Sequence, residues 1–87
     1  MRDVYGVAAF RSRQQVFRLE GALRRAGVPV RVISTPRDIS MGCGLSVRFP
    51  MEYVTQVRGA LAASNIGNLI GLYRAEYDGG RLRVTPL

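Results

Sequence analysis

Two stretches of this chain repeat one another, and the repeat constrains the order of everything else. Val4–Phe10 (VYGVAAF) and residues 44–49 (GLSVRF) are both short, apolar and closed by a phenylalanine, and each leads into a helical pattern of similar length. An apolar run of that size bounded by turn residues reads as a strand. The first helix is expected over residues 13–26. Val16, Leu19, Leu23 and Ala26 recur at helical spacing and make one apolar face. Ser12 with Gln15 three residues later has the form of a capping box, Arg24 and Arg25 suit the negative end of the dipole, and Gly27 supplies a left-handed stop. The second helix is expected from Pro50 to near Ser64, with Val54, Val57 and Leu61 as its apolar face and Glu52 in its first turn.

The remaining segments fall between and after these units. Pro29–Thr35 (PVRVIST) is β-branched and alternates, which fits a strand. In residues 44–49, Leu45, Val47 and Phe49 alternate with Ser46 and Arg48, the mark of a half-buried strand. Asn65–Asn68 reads as a turn and Leu69–Tyr77 as another strand. Asp78-Gly79-Gly80 is a hairpin signal, and Leu82 and Val84 alternate with Arg81, Arg83 and Thr85 in a short final strand. The order is β-α-β-β-α-β with an added C-terminal strand. That order implies a single α+β domain over residues 1–87, a mainly antiparallel sheet with both helices on one face, in the ferredoxin-like split β-α-β arrangement.

The 87 residues include one cysteine, Cys43, and no histidine. Mechanisms that need an imidazole base, or a cage of several thiolates around a metal, are excluded within one subunit. No cofactor and no metal ligand set are legible. An internal disulfide is excluded as well, which suits a reducing cytoplasm. The N-terminal residues lack a signal-peptide pattern and no apolar run reaches spanning length, so no membrane association is expected.

Cys43 lies between Gly42 and Gly44, which leave its sulfur uncrowded. In the expected topology the loop carrying it meets the junction of the first strand and first helix, at Phe10-Arg11-Ser12-Arg13. A helix N-terminus presents free amides and positive partial charge, and Arg11, Arg13 and Arg37 add to it. Both favour thiolate over thiol. Gly42 and Gly44 can shape a nest of backbone amides or, equally, only permit a bulge at the strand entrance, and Ser12 faces either the helix amides or the thiol. The bland alternative for a lone cysteine is a small buried hydrophobe. For Arg37 it is a loop ion pair with Asp38 or Glu20.

All thirteen basic residues are arginine, against six acidic residues, for a net charge of +7. Such a charge attracts anionic partners. The arginines are dispersed, however, and only Arg24 and Arg25 are adjacent. Tyr5, Phe17, Tyr53 and Tyr73 read as packing residues and not as a stacking platform. Nucleic-acid binding is therefore expected to be weak and strongly salt-dependent. Asp38, Glu52 and Glu76 are too scattered for paired-carboxylate catalysis.

A family resemblance rests on specific segments: Phe10-x-Ser12 before a helix, Ala26-Gly27-Val28-Pro29-Val30, and above all Ile33-x-Thr35-Pro36-Arg37-x-Ile39-Ser40-x-x-Cys43-Gly44-Leu45. Over about residues 4–77 the chain resembles the sulfur/selenium carrier-like family of small bacterial domains. The resemblance implies that Cys43 carries sulfur or selenium as a persulfide or selenosulfide. The carrier would take it from a donor such as a cysteine desulfurase and deliver it to an acceptor enzyme. That is a relay between proteins and not a small-molecule enzyme. Many members have serine or a second cysteine just before the cysteine, where this chain has Met41-Gly42. The competing reading is a non-catalytic interaction module: an RNA-binding domain, or a regulatory domain that forms homo-oligomers through the edge of its C-terminal hairpin.

Overall fold

A computed structural model describes residues 2–40 and 44–87. The chain forms β1 (Arg2–Phe10), α1 (Arg13–Arg25), β2 (Arg31–Ser34), β3 (Leu45–Phe49), a single 3-10 turn (Met51–Tyr53), α2 (Val54–Ala63), β4 (Leu69–Asp78) and β5 (Arg81–Pro86). The strands make one five-stranded sheet in the order β2-β3-β1-β4-β5, and every pairing is antiparallel. The mixed α+β class and the antiparallel sheet are those the order of apolar segments implied.

Helix α1 forms where the spacing placed it; of the four residues expected on its apolar face Val16, Leu19 and Leu23 are fully buried, while Ala26, at the C-cap, is exposed. Its stop is the expected one: Gly27 sits at φ +81°, a conformation that costs a side-chain-bearing residue about 1–2 kcal/mol. Its start differs from the expectation. Ser12 holds the N-cap position with an extended backbone, but its hydroxyl makes no capping hydrogen bond. The helix opens instead on a backbone bond, the Val16 amide donating to the Ser12 carbonyl at 3.4 Å. The capping box is thus present as sequence and absent as chemistry.

One core joins both helices to one face of the sheet. Ala8 and Phe10 of β1 and Val47 and Phe49 of β3 point into it, meeting Val16, Leu19 and Leu23 of α1 and Val57 of α2. Val54 and Leu61, expected on the same face as Val57, are half-buried at its margin. The approach of β1 to β3 is close enough that Gly6 has no room for a side chain: a β-carbon there would lie 2.2 Å from the Phe49 ring. The two-residue turn between β4 and β5 uses Gly79 and Gly80 at φ +60° and +83°, the geometry of a tight hairpin turn with both central residues left-handed. No helix among the described residues is long and apolar enough to cross a membrane.

Candidate functional site

The end of the sheet where β1, β2 and β3 meet α1 is built around Gly44, the residue that precedes β3. Its carbonyl accepts a hydrogen bond from the Thr35 amide at 3.0 Å, which carries the β2–β3 ladder one residue past the end of β2. A β-carbon at position 44 would lie 3.3 Å from Thr35 Oγ1 and 3.9 Å from the Phe10 carbonyl oxygen. Gly44 is therefore wedged between the end of β2 and the end of β1. The next residues of the chain after Phe10 are Arg11, Ser12 and Arg13, at the junction of β1 and α1.

That junction is fixed by backbone bonds. The Arg11 amide donates to the Asn68 carbonyl at 2.9 Å, tying the start of α1 to the turn before β4. Asn68 is itself left-handed at φ +61°, which aims its carbonyl back at β1. Arg11 and Arg13 are both exposed, and the first turn of α1 contains no acidic residue. The helix dipole and two guanidinium groups thus act in the same direction, and the local potential is positive. The nearest acid along α1, Glu20, is engaged with Arg24 at 3.1 Å.

Arg37 begins the turn Arg37–Ile39 and is exposed. The turn is held by the Pro36 carbonyl, which accepts from the amides of Ile39 and Ser40 at 3.0 and 3.2 Å. Glu20, one of the two ion-pair partners considered for Arg37, pairs with Arg24 instead. Cys43 and Gly42 lie outside the described residues, and the expectations attached to them concern positions beyond what the structure describes.

Two residues that sequence reasoning passed over stand beside Gly44. Thr35 Oγ1 and Ser46 Oγ are 2.7 Å apart, and Ser46 is fully buried although it points away from the helices. Strand alternation had put Ser46 on the sheet face opposite the core, and an apolar-polar alternation reads such a position as wet. The signal for its burial was the Thr35-x₁₀-Ser46 pair at the start of a β2–β3 hairpin, where the two hydroxyls become cross-strand neighbours. The pair satisfies both hydroxyls without water and pins Gly44 from the side.

Among the described residues no group of histidine, cysteine, aspartate and glutamate could hold a metal ion. A shallow hollow of about 340 Å³ lies at the other end of the sheet, lined by Asp3, Tyr5, Arg31 and Arg48 among others, and does not adjoin Gly44.

Residues 5–70 match the model of the family described as "Putative Se/S carrier protein-like". The comparison with curated proteins gives no match. The matched span runs from β1 to the start of β4 and so includes both helices, the Thr35–Ser46 pair and every residue of the Gly44 junction.

Proposed function

We propose that this chain, which belongs to the Se/S carrier protein-like family, holds a sulfur or selenium atom on Cys43 and relays it between two proteins. The observation that carries the reading is the family match over residues 5–70, which spans the only thiol of a chain without histidine. The sheet order β2-β3-β1-β4, with a helix between β1 and β2 and another between β3 and β4, supports reading the fold as the ferredoxin-like split β-α-β with β5 added beside β4.

The chemistry is thiol–disulfide exchange applied to a persulfide. The Cys43 thiolate attacks the outer sulfur of the donor's persulfide. A new S–S bond forms to Cys43, the donor's own S–S bond breaks, and the donor cysteine leaves as thiolate. The transferred sulfur keeps its oxidation state, so no external oxidant or reductant enters. A nucleophile on the acceptor then attacks the outer sulfur and returns Cys43 to thiolate. A selenosulfide follows the same balance.

The surroundings of Gly44 support this role for the residue before it. Gly44 is tied to Thr35 and lies against the Phe10 carbonyl, while Arg11 and Arg13 flank an acid-free helix N-terminus. Positive potential stabilises a thiolate without making it inert, which suits a group that must both accept and release sulfur. Arg37 offers a fork of donors to an anionic donor surface, and Ser12 has a hydroxyl free of capping duty. The reduced thiol the relay requires fits a cytoplasmic setting.

Intact-mass spectrometry tests it. The protein is incubated with a cysteine desulfurase and cysteine, then measured with and without a thiol reductant. The expected result is a gain of one sulfur atom that reductant removes and that a Cys43→Ser variant never acquires. A wild-type mass that stays unchanged while the desulfurase itself is persulfidated refutes the relay.

A further inference from the structure

Strand β3 is shorter than β1, and its early end leaves a gap in the sheet. Phe49, its last residue, is opposite Gly6, so the stretch of β1 before Gly6 lies beyond the β1–β3 ladder while it stays paired with β4 on its other side. The β2–β3 ladder ends at the Arg31–Arg48 pair. From Phe49, Pro50 leads the chain out of the sheet into the 3-10 turn. Two strand spacings, about 9.6 Å, therefore separate the start of β1 from the chain that enters β2. The hollow of about 340 Å³ is this gap, walled by β1 from Asp3 to Tyr5, by the segment leading into Arg31, and by the end of β3.

Its charged groups break a pairing rule. Arg31 and Arg48 are direct cross-strand partners, and like charges placed opposite one another destabilise a sheet. Arg48 is compensated in part. Its guanidinium carbon stands 3.7 Å over the Tyr5 ring, and one of its nitrogens donates to an Asp3 carboxylate oxygen at 2.8 Å. These two contacts order the group and leave most of its five N–H donors free for another acceptor. Arg31 is exposed and, among the described residues, forms no ion pair. An unpaired arginine set against an ordered one, inside a hollow, is an arrangement that a shared anion relieves.

We propose that the gap binds a small organic carboxylate, its two oxygens held between Arg31 and Arg48 and its apolar part against Pro29, Val30 and Pro50. Guanidinium groups match a carboxylate in planarity and in the spacing of paired donors. Charge selects a monoanion. The two guanidinium groups and the Asp3 carboxylate leave one net positive charge in the gap, which one carboxylate neutralises. A phosphate dianion would instead leave negative charge beside Asp3. Shape selects a small molecule. Ligand pockets combine apolar walls with a few convergent polar groups, and this volume lies at the low end of their range. The gap is at the other end of the sheet from Gly44 and shares no residue with that junction, so the proposal stands independently of the sulfur relay.

NMR titration of the nitrogen-labelled protein tests it, with isobutyrate as the probe, isobutyramide as its uncharged counterpart and inorganic phosphate as the competing anion. Isobutyrate should give saturable shifts confined to the amides of Asp3, Tyr5, Arg31, Arg48 and their neighbours, with millimolar affinity. Arg31→Gln should weaken that affinity by about tenfold or more. It should not lower the Tm of the unliganded protein, because it relieves the opposed pair. Arg83→Gln makes the same change of net charge on β5, away from the gap, and should leave the affinity unchanged. Circular dichroism verifies that both variants fold. The proposal is overturned by shifts that do not saturate or that fall elsewhere, by isobutyramide binding as well as isobutyrate, or by phosphate binding more tightly. It is also overturned if Arg83→Gln weakens binding as much as Arg31→Gln, or if Arg31→Gln lowers the Tm. A short peptide with a free C-terminal carboxylate that shifts these amides when isobutyrate does not overturns it too, and names the end of a protein chain as the occupant.

Discussion

Replacing Gly6 with alanine should dislodge Phe49 from the centre of the core. The β-carbon would stand 2.2, 2.3 and 2.9 Å from three atoms of the Phe49 ring. Carbon atoms in contact sit at about 3.5–4.0 Å, so the ring must withdraw by more than about 1.2 Å. It has nowhere to go: Phe49 is 1% exposed and is enclosed by the same cluster that seats Val47 and Val57. Inserting atoms into a packed core costs about 1–3 kcal/mol, and the size of this overlap puts the cost near the upper end. Alanine also restricts the unfolded chain, which offsets about 0.4–1 kcal/mol. The net expectation is a loss of about 2 kcal/mol, or a fall in Tm of about 8–16 °C for a domain of this size.

Urea denaturation followed by circular dichroism reads the loss as a shift in midpoint at unchanged slope. Two further variants make the reasoning specific. Phe49→Leu shortens the obstructing side chain, so Gly6→Ala should cost clearly less in a Phe49→Leu background than in the wild type. Gly59 lies within α2 with nothing within 4 Å of its β-carbon position, so Gly59→Ala should stabilise by about 0.5–1 kcal/mol. A Gly6→Ala protein as stable as the wild type would refute the argument, because it would mean that the β1–β3 approach is looser than the contact between Gly6 and Phe49 requires.

Other outcomes follow from the hydroxyl pair and the charged side of the hairpin. Ser46→Ala and Thr35→Val should each destabilise by about 1–2 kcal/mol by stranding the partner hydroxyl, while the double variant should lose less than the sum; strict additivity in the denaturation cycle would contradict the 2.7 Å bond. The Arg74 hydrogen bond holds the Glu76 carboxyl below its usual range, against the opposing effect of desolvation and with help from the charge of Arg2. A depressed folded pKa adds stability above the ordinary carboxylate value of 4.5 and loses it as pH falls through the lowered value. Glu76→Gln should therefore flatten the acid limb of the stability profile and leave the shape of its alkaline limb unchanged; an unchanged acid limb would show that Glu76 is not among the carboxylates that set it.

What the sequence made legible was whatever a short-range pattern encodes. The i, i+3, i+7 spacing of Val16, Leu19 and Leu23 admits one buried face, and all three are fully buried. Gly27 and Gly79-Gly80 sit where only left-handed backbone closes the turn. The Ser12 cap failed for a related reason: a motif supplies a hydroxyl at the right position, but its rotamer answers to surroundings that the motif does not contain. Ser46 shows the same limit. Its polarity and its alternation with Leu45 and Val47 implied water, and only the pairing of β2 with β3, which brings Thr35 alongside, explains how a serine is buried at no penalty.

The direction in which β5 turns its apolar half was hidden by a deeper ambiguity. Alternation in a strand separates two sides but does not say which one meets the helices. For β1 and β3 the choice is forced, because Phe10 and Phe49 must enter the core. For β5 nothing local forces it: Leu82 and Val84 read as a core-facing half, and the same letters serve equally well for an outward half. The direction is fixed only through the ladder, from Ala8 to Leu72 in β4 and from there to the strand beyond. Once it is fixed, Tyr5, Tyr73 and Tyr77 share one face of the sheet with Leu82 and Val84, and with Val7, Ala9 and Ala75, which are fully buried there. The charged alternates Arg81 and Arg83 lie on the helix side with Arg74 and Glu76. A strand at the edge of a sheet is thus oriented by its pairing and not by its own alternation, which is why β5 could be placed from the sequence but not turned.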